Sequence, residues 1–295
     1  MTFREALSFG KELLASRSIE TPLLDATVLL SEAANISKEK IYASLPDHLD
    51  AHTEEVYRKL LDRRLEGYPV SYIRRKKEFY SRTFYVDERV LVPRPDTEII
   101  VDAALEIVAA KQDEGGDREG EPVSLLDLGT GSGCIALTLA AECRERGLKA
   151  RISASDVSPS AGEVFRINAE NLALELPPDP VPFISSDLFD RIEGSFDVVV
   201  SNPPYLTEEE VRGMEAAGWP EPSLALAGGP EGLDVLGRIV GGGMDYLVRN
   251  GYLLLEAHHA QMPRIEGIMR DAGYVDIRRL PDLADRERVI VGRRD

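Results

Sequence analysis

Two cysteines in 295 residues leave no disulfide framework to read. Cys134 and Cys143 stand nine residues apart in what reads as one helix. Nine steps of about 100° put them on opposite faces, out of each other's reach. The four histidines (His48, His52, His258, His259) make no Cys/His group at zinc spacing and no triad pattern. Structural or solvated roles are therefore expected for them, and no metal; His258-His259 is the pair to inspect. Basic charge is scarce as well, with 35 Lys and Arg against 52 Asp and Glu and a net charge of −17. Such a chain repels a nucleic-acid backbone unless a local patch overcomes it. The best patch, Arg74-Arg75-Lys76-Lys77, is short and reads as a solvated face, so a neutral or basic partner is expected rather than DNA. No apolar run is long enough to span a bilayer, and the start, Met1-Thr2-Phe3-Arg4-Glu5, has no basic region leading into an apolar core. No membrane association and no secretory signal are expected, which leaves a cytoplasmic location as the default.

What the chain does have is an ordinary globular composition, 43% hydrophobic and 29% charged, and room for two domains or one large one. Residues 1–75 read as all-helical. Phe3 to Leu14, Leu23 to Ala34 and Glu54 to Leu65 carry apolar residues at helical spacing, with starts at Thr21-Pro22 and Asp50 to Thr53. This module holds no catalytic cluster, so a scaffold or a macromolecular recognition domain is expected. Residues 76–93 read as a β-hairpin linker rich in Phe, Tyr and Val, and residues 94–295 as the chemical domain. Pro93-Arg94-Pro95-Asp96-Thr97-Glu98 leads into a helix from Ile99 to Ala110, with Asp96 or Thr97 as its cap. Gln112 to Glu121 reads as a mobile polar loop.

From Val123 onward strands and helices alternate. Strands are expected at Val123–Leu128, Arg151–Ser155, Val181–Ser185, Phe196–Ser201, Tyr252–Glu256, Val275–Leu280 and Arg288–Gly292. Helices are expected at Ser132–Cys143, Ser158–Leu174, Leu233–Val248 and Gln261–Ala272. This alternation implies an α/β fold with a doubly wound, mostly parallel sheet, whose ligands bind at the carboxyl ends of the strands.

Two motifs fall at such strand ends. The first, Asp127-Leu128-Gly129-Thr130-Gly131-Ser132-Gly133, has glycines where a backbone must turn sharply and approach a ligand at a helix start. Its spacing is G-x-G-x-G rather than the dinucleotide G-x-G-x-x-G, which suits S-adenosylmethionine, a ligand with no pyrophosphate to cradle. Asp156, 23 residues beyond Gly133, is placed to accept both ribose hydroxyls, and NAD would use it equally. Asp187-Leu188 is placed to meet the adenine, although a helix cap competes as the role of Asp187. The second motif, Asn202-Pro203-Pro204-Tyr205, follows the buried strand from Phe196. Two prolines stiffen the chain and leave the Asn202 side-chain oxygen and the Pro203 carbonyl as fixed acceptors, with the Tyr205 ring alongside. Two acceptors beside an aromatic face suit a planar NH2 group and would aim its lone pair at an electrophile. A methyl donor and an NH2 acceptor at neighbouring strand ends describe an amino-methyltransferase.

At this point the sequence resembles the release-factor glutamine methyltransferases of the HemK/PrmC family. The resemblance runs along nearly the whole chain: Leu24-Asp25-Ala26, Gly67 to Ile73, Val92 to Glu98, Asp127 to Gly133, Asn202 to Tyr205, Glu221 to Leu233, Gln261 and the closing DLADRERVIVGRR. It implies a Rossmann-like S-adenosylmethionine-dependent fold with a seven-stranded sheet behind a small helical domain. It also implies methyl transfer to the side-chain nitrogen (N5) of the glutamine in the Gly-Gly-Gln loop of peptide chain release factors, with S-adenosylhomocysteine as product. By that match Asp127, Gly129, Thr130, Gly131, Ser132, Gly133, Asp156, Asp187, Leu188 and Asn202 hold the cofactor. Asn202, Pro203, Pro204 and Tyr205 hold the glutamine, with Asn202, Pro203 and Tyr205 catalytic. Leu188 stands where the family often has tryptophan, and Glu256-Ala257-His258-His259 replaces a glycine-containing run. A monomer acting by in-line transfer without a committed general base is expected. A ribosomal-protein glutamine methyltransferase and a DNA adenine-N6 methyltransferase are the alternatives; the acidic charge stands against the second. A nicotinamide dehydrogenase fits the glycine spacing less well, and a non-catalytic module would leave Asn202 and Tyr205 without a purpose.

Overall fold

The computed structural model describes residues 1–113 and 121–295. The mobile loop expected at Gln112–Glu121 therefore lies mostly outside the described residues. The chain divides into two compact units, Met1–Lys76 with Met214–Pro220, and Lys77–Gly213 with Glu221–Asp295.

The first unit contains α1 (Phe3–Ala15), α2 (Pro22–Ala34), α3 (Lys38–Ala43), α4 (Ala51–Leu65) and α5 (Val70–Arg74). Side chains satisfy the orphan amides at several helix starts. Thr2 and Glu5 form a capping box on α1, Ser37 caps α3 and Asp50 caps α4. Leu14, Leu29, Leu30, Ile41, Tyr57 and Leu61 are fully buried at the centre. Gly10 allows α1 to pack on the Tyr57 ring, because a Cβ there would lie 2.0 Å from the phenol oxygen. Asp25, buried in α2, accepts from Arg64 at 2.7 Å and from Thr21 at 2.9 Å. The basic run is partly neutralised here, with Arg74 at 3.0 Å and Lys76 at 3.7 Å from Glu32. The short α3 and α5 have too few apolar residues to show a helical period in the sequence.

The second unit opens with the hairpin β1 (Lys77–Phe79) and β2 (Arg82–Phe84). It continues through α6 (Glu98–Asp113), β3 (Val123–Leu128), α7 (Cys134–Glu145), β4 (Ala150–Asp156), α8 (Pro159–Asn171), β5 (Phe183–Ser185) and β6 (Phe196–Ser201). After it come α9 (Glu208–Ala216), α10 (Asp234–Tyr246), β7 (Leu247–Glu256), α11 (Met262–Asp271), β8 (Tyr274–Pro281) and β9 (Glu287–Arg294). The hairpin is held by Arg82, 7% exposed, which donates to Glu142, Glu145 and Glu175 at 2.8 to 2.9 Å. Seven strands form one sheet in the order β5-β4-β3-β6-β7-β9-β8. The pairings β5-β4, β4-β3, β3-β6 and β6-β7 are parallel, and β9 runs antiparallel to both of its neighbours. Strand order reverses between β3 and β6, so the switch point lies between the two strands that carry the motifs.

Both faces of the sheet are covered, and the strands alternate between two cores. Leu125, Val198, Val200 and Leu254 face one cluster with α6 and α7. Leu126, Val199, Leu253 and Leu255 face the other, with α10 and α11. Truncating any of these to alanine would cost about 2–5 kcal/mol. Strand β7 begins at Leu247, earlier than expected, and its pairing with β6 skips from Leu247 to Tyr252. The break lies at Asn250-Gly251, where Asn250 takes φ +59°. No described helix is long and apolar enough to cross a membrane.

Candidate active site

The loop after β3 is a backbone structure. Gly129, Gly131 and Gly133 take φ values of +70°, +55° and +83°, which L side chains rarely adopt. Thr130 N donates to Ser155 O at 2.9 Å and Gly133 N to Thr130 O at 2.8 Å, which closes the turn at the start of α7. A Cβ at Gly129 or Gly131 would meet nothing within 4 Å, whereas one at Gly133 would lie 2.6 Å from the Phe165 ring. The first two therefore border open space, and the third is small because α8 packs on it. Asn168, fully buried on α8, donates to Ser132 O at 2.9 Å and to Tyr85 O at 3.0 Å, and accepts from Tyr85 N. It ties the glycine loop to the chain leaving the hairpin, a role with no local sequence signal.

Two carboxylates lie under this loop. Asp127 Oδ2 accepts from Thr130 Oγ1 at 2.6 Å and from Ala136 N at 3.1 Å, while Oδ1 is buried with no partner among the described residues. Burial pushes this carboxyl up to about 7. Asp156 ends β4 and accepts from Gly131 N and Ser158 N, each at 2.9 Å; burial raises its pKa against those two bonds. Buried carboxylates of this kind favour a cationic ligand.

A cavity of about 290 Å³ opens above, lined by Gly129, Thr130, Gly131, Ser132, Asp156, Asp187, Leu188, Asn202 and Pro204 among the expected residues. Asp127, Gly133, Pro203 and Tyr205 do not line it: Asp127 is buried on β3, Gly133 packs against Phe165, and Pro203 is buried. Leu188 takes φ +47° and its carbonyl accepts from the buried Ser186 hydroxyl at 2.9 Å. Asp187 caps no helix; its carboxylate meets Arg238 at 3.0 Å on the cavity rim. Glycines bordering open space and an apolar wall at Leu188 together fit S-adenosylmethionine, with Asp156 placed for the ribose.

The acceptor end is built by side chains from distant segments. Asn202 follows β6, and its Nδ2 donates to Thr97 Oγ1 at 3.1 Å, which leaves Oδ1 able to accept. The cap expected from Asp96 or Thr97 does not form: these residues lie in a 3-10 turn, Pro95–Thr97, that runs into α6. Thr97 serves Asn202 instead, Asp96 meets Arg288 at 3.2 Å, and Glu98 accepts from Tyr80 N at 2.8 Å. Tyr205 packs against the second core cluster rather than presenting its ring to the cavity, and burial pushes its phenol up to about 12. The Tyr205 carbonyl accepts from Gln261 Nε2 at 2.9 Å, and Gly232 leaves room for this, since a Cβ there would lie 2.2 Å from that oxygen. Gln261 itself is placed by a capping turn that begins at His258; the His258 and His259 ring centroids are 4.1 Å apart. Burial, then the neighbouring His259, lowers the His258 pKa. Glu221, its side chain fully buried, accepts from Val92 N at 3.0 Å and from Arg94 at 2.6 Å, tying together two segments of the cavity wall.

Comparison with known proteins bears on this geometry. Residues 5–74 match the family profile of the PrmC N-terminal domain, and residues 108–217 that of the methyltransferase small domain. A release factor glutamine methyltransferase of Haemophilus influenzae is 35% identical over 99% of both chains. Another, from Moorella thermoacetica, is 35% identical over 100% of this chain and 99% of its own. The chain belongs to the release factor glutamine methyltransferase family. It is thus an S-adenosylmethionine-dependent methyltransferase, as the glycine spacing and Asn202-Pro203-Pro204-Tyr205 led us to expect. For the fold, the hMettl16 catalytic domain in complex with MAT2A 3'UTR hairpin 1 is similar with a TM-score of 0.52 at 14% identity, covering 71% of this chain and 74% of that one. In this chain Glu221 holds Val92 and Arg94, Gln261 holds the Tyr205 carbonyl and Arg288 pairs with Asp96.

Proposed function

We propose that this family member methylates the side-chain nitrogen of the glutamine in the Gly-Gly-Gln loop of peptide chain release factors, in the cytoplasm and as a monomer. The observation that carries the reading is the meeting of the glycine loop and Asn202 in one cavity at the switch point. When bound, S-adenosylmethionine supplies an electrophilic methyl on a sulfonium that leaves as neutral S-adenosylhomocysteine. The chain's own residues do the rest. Asn202 Oδ1, its amide nitrogen held by Thr97, accepts one hydrogen of the substrate amide, and the other is assigned to the carbonyl of Pro203, a buried residue between the cavity-lining Asn202 and Pro204. With both hydrogens held, the nitrogen lone pair is directed at the methyl. The nitrogen loses its extra proton to water after transfer, so no committed base is needed. Tyr205 contributes by anchoring the loop through its ring, packed against the second core cluster, and through the bond its carbonyl accepts from Gln261. The helical unit is assigned to recognition of the release factor.

The test is transfer of labelled methyl to a purified release factor beside its Gln→Ala Gly-Gly-Gln variant. Label on the first alone supports the reading. Label on neither, with label on a ribosomal protein or on DNA, would keep the methyl-donor site and overturn the substrate.

A further inference from the structure

We propose that Leu224 is a specificity-determining residue for the acceptor: it lies over the substrate backbone beside the glutamine and selects a residue without a side chain there. The inference rests on the release-factor reading above. Leu224 lines the cavity and is 61% exposed. Among the described residues it shares that combination with one other large apolar side chain, Val157, which follows Asp156 at the cofactor end. A single apolar side chain left in water is ordinary, but one held at the mouth of a reaction cavity marks a binding contact.

The way its segment is fastened decides which end of the cavity Leu224 serves. Upstream, the buried Glu221 accepts from Val92 N at 3.0 Å and from Arg94 at 2.6 Å. Downstream, Leu206 N donates to Leu226 O at 3.0 Å and Gly228 N to Leu206 O at 2.8 Å, so Ala227 pairs with the residue that follows Tyr205. Gly228 is small for that reason, since a Cβ there would lie 2.7 Å from Pro204 O and 2.8 Å from Tyr205 Cα. Between these anchors the chain makes a 3-10 turn, Ser223–Ala225, closed by Leu226 N to Ser223 O at 3.0 Å and Ala227 N to Ser223 O at 2.8 Å. The turn therefore stands beside Asn202-Pro203-Pro204-Tyr205 and holds Leu224 at the acceptor end. Pro222, Ala225 and Pro204 line the cavity with it and extend the apolar lip.

A lip fastened on both sides yields little to an incoming chain. A glycine presents only Cα hydrogens, so its backbone can pass at van der Waals distance, whereas an added Cβ would meet Leu224. Packing over the glycine also removes apolar surface from water and keeps water from the amide that must attack. The Gly-Gly-Gln loop, with two small residues before its glutamine, is the occupant this shape fits.

The experiment is steady-state methyl transfer to two release factors, one with its native loop and one with the glycine before the glutamine changed to alanine. S-adenosylmethionine affinity is measured separately by calorimetry. Leu224→Ala should raise KM for the native factor roughly 10-fold, the loss of one leucine contact, with the change falling on KM rather than kcat. The penalty for the alanine loop, read as kcat/KM, should be roughly 10-fold smaller in Leu224→Ala than in wild type. Leu224→Met keeps the apolar reach and should hold the native KM within about twofold, which separates a lost contact from a damaged fold. An unchanged KM in Leu224→Ala, an equal penalty in both enzymes, or a loss of cofactor affinity each overturns the inference while the release-factor reading stands. No transfer to the native factor by wild type overturns that reading and this inference with it.

Discussion

After β3 the site is made of backbone; after β6 it is made of side chains brought from elsewhere. The first end needs a run of consecutive residues, three glycines at positive φ and a carboxylate on the strand before them. The second needs Asn202 held by Thr97, Tyr205 held by Gln261, and Val92 and Arg94 held by Glu221. Its partners lie 105, 56 and 129 residues apart along the chain. Cradling a ligand is a matter of local conformation, which neighbouring residues can dictate. Orienting one amide against one methyl requires supports on several sides, and no single segment can supply them.

The contrast can be broken by mutation, and the largest effect is expected where orientation matters most. Asn202→Ala should slow methyl transfer by on the order of 10²–10³, as when one preorganised polar partner is removed. Its S-adenosylmethionine affinity should stay near that of wild type; near-normal single-turnover chemistry would refute the assignment of the acceptor end. Asp156→Ala should do the reverse, weakening cofactor binding about 10- to 100-fold by calorimetry. Equal affinity would mean that Asp156 serves only the Gly131 and Ser158 amides.

Gly133→Ala sharpens the comparison within the loop. Its Cβ meets Phe165 at 2.6 Å and its φ is +83°, so a loss of about 1–3 kcal/mol is expected in denaturant unfolding. Gly129→Ala has the strained φ of +70° but no clash, and should cost less. Equal losses would show that strain alone, not packing on α8, selects glycine at both. The smallest effect belongs to Gln261→Ala, which frees the Tyr205 carbonyl. About 1 kcal/mol of positioning, or a few-fold in transfer rate, is expected with no change in cofactor affinity. An effect on affinity instead would move Gln261 from the acceptor end to the cofactor end.

Much of the fold could be read from the chain because its signals are local. The branched runs at Val123–Leu128 and Phe196–Ser201 became buried parallel strands, and the edge strands were anticipated to within a few residues. Errors cluster where local chemistry has two uses. Thr97 looks like a helix cap because threonine caps helices, yet its hydroxyl is spent on Asn202. Tyr205 looks like an aromatic platform, yet it packs, half-buried, against the second core cluster and does not line the cavity. Val248 reads as the end of a helix, yet it lies inside β7, which begins at Leu247. Asp187 offered a cap or a ligand, and the structure adds Arg238 as its neighbour.

By itself the sequence determined the order of strands and helices, the conformations its glycines and prolines permit, and the class of chemistry carried by the two motifs. These follow from short-range sterics and hydrogen bonding, which act between neighbours in the chain. The tertiary structure alone decided which way the Asn202 amide faces, which carboxylates lose their water and so hold their protons longer, and which side chains brace the cavity. Those outcomes depend on burial and on partners far away in sequence, and they come into being only when the chain closes around them.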